Sequence, residues 1–161
     1  MILYDVIMED FVNYKVPSTL VAFPYCSMKC NKEQGKKVCH NSTLNRLEAL
    51  NISADEIVEM YLRNSISKAL VLQGMEPLDS PADLRELLIT FRKATKDPIV
   101  IYTGYYEHEG AVQSLISFLV AYNIDNVIMK FGRFIPDKPT VFDEVLGVNL
   151  ASDNQYGKVI N

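Results

Sequence analysis

Three cysteines, Cys26, Cys30 and Cys39, are the only ones in the 161-residue chain, and all fall within fourteen consecutive positions. Thiolates are nucleophiles and soft metal ligands, so a cluster of them suggests metal or redox chemistry before any other reading. An odd number of cysteines at this spacing argues against a disulfide framework. Three thiolates can hold three irons of a cubane cluster, or three positions around zinc. The two differ in the fourth position. Structural zinc takes a fourth protein ligand, and the chain has only two histidines, His40 and His108. His40 adjoins Cys39, and neighbouring residues seldom chelate one tetrahedral ion. The third reading is three ordinary buried thiols, but the segment around them is polar and rich in lysine.

Two further segments carry groups suited to a ligand. Gly74-Met75-Glu76-Pro77 combines a residue that permits close backbone approach with a carboxylate and a turn former. Thr103-Gly104-Tyr105 is a second such turn, with a hydroxyl at its start.

Elements that could position these groups are legible from periodicity. Ile2 to Ile7 and Thr19 to Phe23 read as strands, the second being β-branched and aromatic after Pro17. Asn31 to Lys37 breaks every pattern and reads as a loop. Ser53 and Glu56 form a capping box that opens a helix to about Lys68, with Ile57, Val58, Tyr61, Leu62 and Ile66 on one face. Ala69 to Leu72, Ile99 to Tyr102 and Asn126 to Met129 are short apolar strands. Between them lie a helix from Ser80 and Pro81, with Leu84, Leu87, Leu88 and Phe91 inward, and another over His108 to Tyr122. Apolar strands alternating with amphipathic helices imply an α/β fold with a mostly parallel sheet and right-handed crossovers. Function then concentrates beyond the carboxyl ends of the strands, where the cysteines and both turns fall.

Composition narrows the classes. At 48% apolar and 22% charged, the chain reads as one ordinary globular domain over residues 1–161. Its net charge of −4 supplies no basic field for nucleic acid. Its longest apolar runs are too short for a membrane span. Met1 to Glu9 lacks a basic leader region, so a cytoplasmic location is expected.

Several short motifs occur in one order: Asp10-Phe11-Val12-Asn13, Cys39-His40-Asn41-Ser42-Thr43, Leu72-Gln73-Gly74-Met75-Glu76-Pro77-Leu78, Ile101-Tyr102-Thr103-Gly104-Tyr105, Lys130-Phe131-Gly132-Arg133-Phe134 and Ser152-Asp153-Asn154-Gln155. Together with the cysteine loop they resemble the radical S-adenosylmethionine superfamily, and within it the activating proteins of anaerobic ribonucleotide reductases. The resemblance runs nearly the full length. It implies a small, incomplete (β/α) barrel of parallel strands with helices outside. It implies that Cys26, Cys30 and Cys39 bind a [4Fe–4S] cluster whose open iron takes the amino and carboxylate groups of S-adenosylmethionine. Reductive cleavage would give methionine and a 5′-deoxyadenosyl radical, which takes a hydrogen atom from a glycine of the reductase.

On the same basis Gly74 and Met75 approach the methionine end, and Glu76 accepts from its ammonium group. Val38 and His40 pass near the adenine, Asn41 fixes the loop, and Thr103 and Asn154 are candidates for the ribose or methionine end. The implied partners are the large subunit of the reductase and an electron donor such as flavodoxin. The chain departs from the family's C-x3-C-x2-C spacing by placing eight residues between Cys30 and Cys39. It also has Val38 for the usual aromatic residue and Met75 for the second glycine. The extra segment is expected to be an exposed loop separable from cluster assembly. Rival readings are another small radical enzyme, such as a deazaguanine carboxylate synthase or an activase for a different glycyl radical enzyme, and a non-enzymatic zinc-binding interaction module.

Overall fold

The structure, a computed structural model, describes residues 1–44 and 47–161. It is a mixed α/β fold around a mostly parallel sheet. Strands β1 (Ile2–Leu3) and β2 (Asp5–Asp10) precede β3 (Ser18–Phe23), and a short helix α1 (Lys29–Gln34) follows. Then come β4 (Leu50–Asn51), α2 (Ala54–Arg63), β5 (Leu70–Gly74), α3 (Pro81–Ala94), β6 (Ile99–Tyr102), α4 (Gly110–Ala121) and β7 (Val127–Phe131). β8 (Val141–Asp143), β9 (Val148–Leu150) and β10 (Tyr156–Val159) end the chain. The main sheet has the order β10-β7-β6-β5-β3-β2. Its four central strands run parallel, and β2 and β10 close the two edges antiparallel.

Strand alternation sorts side chains onto two different faces. Val21, Leu70, Leu72, Ile101 and Met129 meet the buried stripes of α2, α3 and α4 in one core. Leu20, Ala22, Val71, Val100 and Ile128 point the other way, into a smaller core covered by Tyr14, Leu146 and Leu150 rather than by a helix. All three long helices therefore pack on one face. Among the described residues no helix is long and apolar enough to cross a membrane.

Local chemistry explains where the elements stop. The Ser53–Glu56 capping box forms as expected. The α2 helix ends at Arg63, earlier than its periodicity suggests, and leaves Leu62 and Ile66 exposed. Asn64 is the cause: its side chain donates to the Met8 carbonyl at 2.8 Å and accepts from the Ile66 N–H at 2.9 Å, competing with the helix. Pro81 opens α3 as predicted, but the Ser80 hydroxyl makes no capping bond and is buried without a partner among the described residues. The weakly patterned C-terminus supplies β10, which pairs with β7.

The expected loop over Asn31 to Lys37 is partly helical instead. Helix α1 buries none of its residues, so no amphipathic stripe marks it. Contacts to other loops hold it.

Gly74 ends β5 with φ at +103°, and a Cβ there would stand 2.6 Å from the Phe23 backbone nitrogen. This close approach fixes the turn after β5 against the end of β3, just before the cysteines. Gly74→Ala is expected to cost about 2 kcal/mol or more, combining left-handed strain with a backbone clash. Urea unfolding checks this, and wild-type stability in the variant would mean that the two strand ends are free to part.

Candidate functional site

The carboxyl ends of β3, β5, β6 and β7 enclose a cavity of about 280 Å³. All three cysteines line it, each half-buried and none in a disulfide. His40, Gly74, Met75, Glu76 and Thr103 line it too. Val38 and Asn154 are not among its lining residues. The Asn154 amide nitrogen donates to the Arg133 carbonyl at 2.7 Å, and its Oδ1 is buried without a hydrogen-bond partner among the described residues.

The cysteine loop is held at several points. Next to Cys26, the Ser27 N–H donates to Asp79 at 2.5 Å, and the Tyr105 hydroxyl donates to the other oxygen of the same carboxylate at 2.5 Å. Asn31 accepts from the backbone N–H groups of Val38 (2.8 Å) and Cys39 (3.1 Å), which folds the third cysteine back toward the second. Asn41 donates to the Gly74 carbonyl at 2.7 Å and so ties the segment after Cys39 to the turn after β5, the fixing role expected of it. Burial pushes the Cys26 thiol up to about 11, only partly offset by the Met28 N–H. Cys30 is also raised, first by burial and then by Cys39 beside it. Among the described residues no three His, Cys, Asp or Glu side chains converge as a single metal ion requires.

Glu76 is only 5% exposed. Its two oxygens accept from the Leu78 N–H (3.2 Å) and the Gly104 N–H (2.8 Å), and the Thr103 hydroxyl adds a third bond. Burial outweighs these donors and pushes its pKa up to about 7. Its counterpart in the cavity is Lys130, 8% exposed, whose ammonium donates to the Gly132 carbonyl at 2.9 Å. Burial lowers Lys130 to about 8, and the charge of Glu76 opposes that shift.

Sequence reasoning gave Lys130 no role, although a signal was present. In Val127–Phe131 the odd positions enter the helix-covered core, while Ile128 and Lys130 share the opposite face. The register pairs Tyr102 with Lys130 and Ala22 with Gln73 at the carboxyl ends of the strands. A lysine at the last such position of an apolar strand points into whatever that face encloses.

Charged groups clasp the rim. Arg133, 4% exposed, pairs with Glu109 at 2.8 Å and with Glu33 of α1 at 3.2 Å. Lys29, also in α1, pairs with Glu109 at 2.7 Å, and its ammonium lies over the Tyr105 ring. Helix α1, which carries the second cysteine and the start of the segment leading to the third, is thus anchored to the loops after β6 and β7 rather than detached from the site.

No protein-family model matches the chain, and no curated protein matches it.

Burial alone would raise Glu109, but the bonds from Arg133, Lys29 and the Tyr106 N–H hold it at about 2, below the ordinary 4.5. A depressed carboxyl stabilises the fold at pH values above its unfolded pKa. That contribution is lost as pH falls from about 4.5 toward 2. Glu109→Gln is expected to lower stability by about 1–3 kcal/mol at neutral pH. The gap between wild type and variant should close as the pH approaches 2. Denaturant titrations across that range decide it, and a gap that does not change with pH would rule out the ionised clasp.

Proposed function

We propose that the chain is a radical S-adenosylmethionine enzyme of the kind that activates an anaerobic ribonucleotide reductase. The observation that carries this reading is one cavity lined by three thiols, a buried acid and a buried base. It opens where four parallel strands end. The finer fold reading, an incomplete (β/α) barrel, draws support from the helices. They all cover one face, as successive crossovers of one hand demand. The other face encloses the cavity.

In this reading Cys26, Cys30 and Cys39 hold a [4Fe–4S] cluster with one iron left open. The donor chemistry fits. Three thiols with no fourth ligand among the described residues suit a cubane, whose thiolates sit on separate irons and need not converge on one point. Zinc would need its donors drawn within about 4 Å of one another, given Zn–S bonds near 2.3 Å. When bound, the cluster and S-adenosylmethionine together supply a 5′-deoxyadenosyl radical able to take a hydrogen atom from a glycine of the large reductase subunit.

The chain's own residues then have definite tasks. Glu76 offers a carboxylate to the N–H groups of the amino-acid end, and Lys130 offers an ammonium to its carboxylate. The Gly74–Met75 backbone brings the turn close to that end. Asp79 and Asn31 position the cysteine loop through its backbone. A reductant such as flavodoxin would meet the exposed Lys32, Lys36 and Lys37 beside the cysteines.

The deciding experiment is anaerobic reconstitution. About four irons and four sulfides per chain are expected, and Ala at Cys26, Cys30 or Cys39 should each abolish the brown absorption. Glu76→Gln, which keeps the size of the side chain, should weaken S-adenosylmethionine binding about tenfold to over a hundredfold. Deuterium transfer from a glycine of the partner into 5′-deoxyadenosine would establish the activase role. One bound zinc with no iron would instead establish the interaction module. A cluster that cleaves S-adenosylmethionine without glycine transfer would indicate another small radical enzyme.

A further inference from the structure

Two aromatic rings meet at the mouth of the cavity. The His40 and Phe134 centroids are 3.9 Å apart, with the planes tilted by 41°. Both rings line the cavity, His40 from the residue after the third cysteine and Phe134 from the loop after β7. Phe134 is only half-buried, yet the chain on either side of it is braced. Arg133 is locked by Glu109 and Glu33, and its carbonyl accepts from Asn154. On the far side, the Ile135 N–H donates to Ser152 at 3.4 Å.

The other aromatic rings of the cavity are already committed. Tyr102 donates its hydroxyl to the Asn13 carbonyl at 2.6 Å. Tyr105 is bonded to Asp79 and carries Lys29 and Arg133 against its ring. Val38, where an aromatic residue would serve adenine, is not a lining residue. A rigid, part-exposed apolar ring beside a charged cavity is the surface that a planar, uncharged base covers with gain.

We propose that Phe134, backed by His40, is the platform on which the purine of the ligand stacks. This rests on the preceding reading for the identity of the ligand. The cavity then takes a molecule with an adenine at the His40–Phe134 rim and an amino-acid end between Glu76 and Lys130. Phe134 supplies the stacking face that the chain lacks at Val38.

The test is equilibrium binding of S-adenosylmethionine and of 5′-deoxyadenosine to the anaerobically prepared full chain, with Phe134→Leu and Phe134→Trp as variants. Leucine keeps an apolar side chain and removes the π face, whereas tryptophan keeps the face. The expected result is a five- to hundredfold loss of affinity for both probes in Phe134→Leu, with near-wild-type affinity in Phe134→Trp. Equal affinity in Phe134→Leu and wild type overturns the platform and leaves the cluster assignment standing. Equal losses in both variants would make the residue a packing element and overturn it as well. Wild type that binds neither probe overturns the platform, whereas wild type that binds 5′-deoxyadenosine but assembles no iron retains the platform and loses the radical reading.

Discussion

A carboxylate taken out of water must collect hydrogen-bond donors from its surroundings, and Glu76 collects them from two loops at once. Its oxygens bind the Leu78 N–H in its own turn and the Gly104 N–H in the turn after β6. Its charge also acts on Lys130 at the end of β7. The carboxyl ends of three successive parallel strands are therefore coordinated by one side chain. Gly74 extends the arrangement to the fourth, because the approach of its turn to Phe23 fixes the end of β3 from which the cysteine loop departs. The shape of the cavity mouth follows from these contacts.

Such an arrangement is costly. Burial raises Glu76 and lowers Lys130, so each is disfavoured in its charged form where it stands. A well-packed apolar pair would serve stability as well or better. Shifted titratable groups of this kind, facing one cavity, make it the candidate site of the molecule. The function proposed above gives this cost a purpose: the amino-acid end of the ligand would bring N–H donors to Glu76 and a carboxylate to Lys130.

The strands and long helices were legible because burial is periodic. Leu84, Leu87, Leu88 and Phe91 fall where a helical stripe puts them, and the Ser53 capping box forms as written. The loops that carry Cys26, Glu76 and Thr103 also fall at the strand ends that the alternation implies. Features set by contacts distant in sequence were not legible. Helix α1 is held by Lys29 to Glu109 and Glu33 to Arg133, partners about eighty and one hundred residues away, and it has no apolar face to announce it. Asn154 is a ligand candidate by its neighbours in the chain, and what they do not show is that its amide nitrogen donates to the Arg133 carbonyl, which leaves its buried Oδ1 without a partner among the described residues. Lys130 was overlooked because a charge in an apolar strand gains meaning only once its face is known.

The long interval between the second and third cysteines has a physical solution in α1. Fully extended, the nine residue steps from Cys30 to Cys39 would span roughly 30 Å. The helix through Gln34 instead advances only about 1.5 Å per residue. Gly35 then takes the left-handed conformation that ends it. The chain reverses, and the Asn31 side chain accepts from the N–H groups of Val38 and Cys39. One asparagine next to the second cysteine thereby closes the interval onto the third. The added residues are not slack looped out into solvent. They are a folded insert whose outer side chain, Glu33, also neutralises the buried Arg133. The entropy of ordering the longer loop is offset by these fixed contacts, and the same contacts place Phe134, the residue after Arg133, beside His40, the residue after Cys39. The insert and the rim of the cavity are in this way one structure, and the spacing of the cysteines and the shape of the rim are set together.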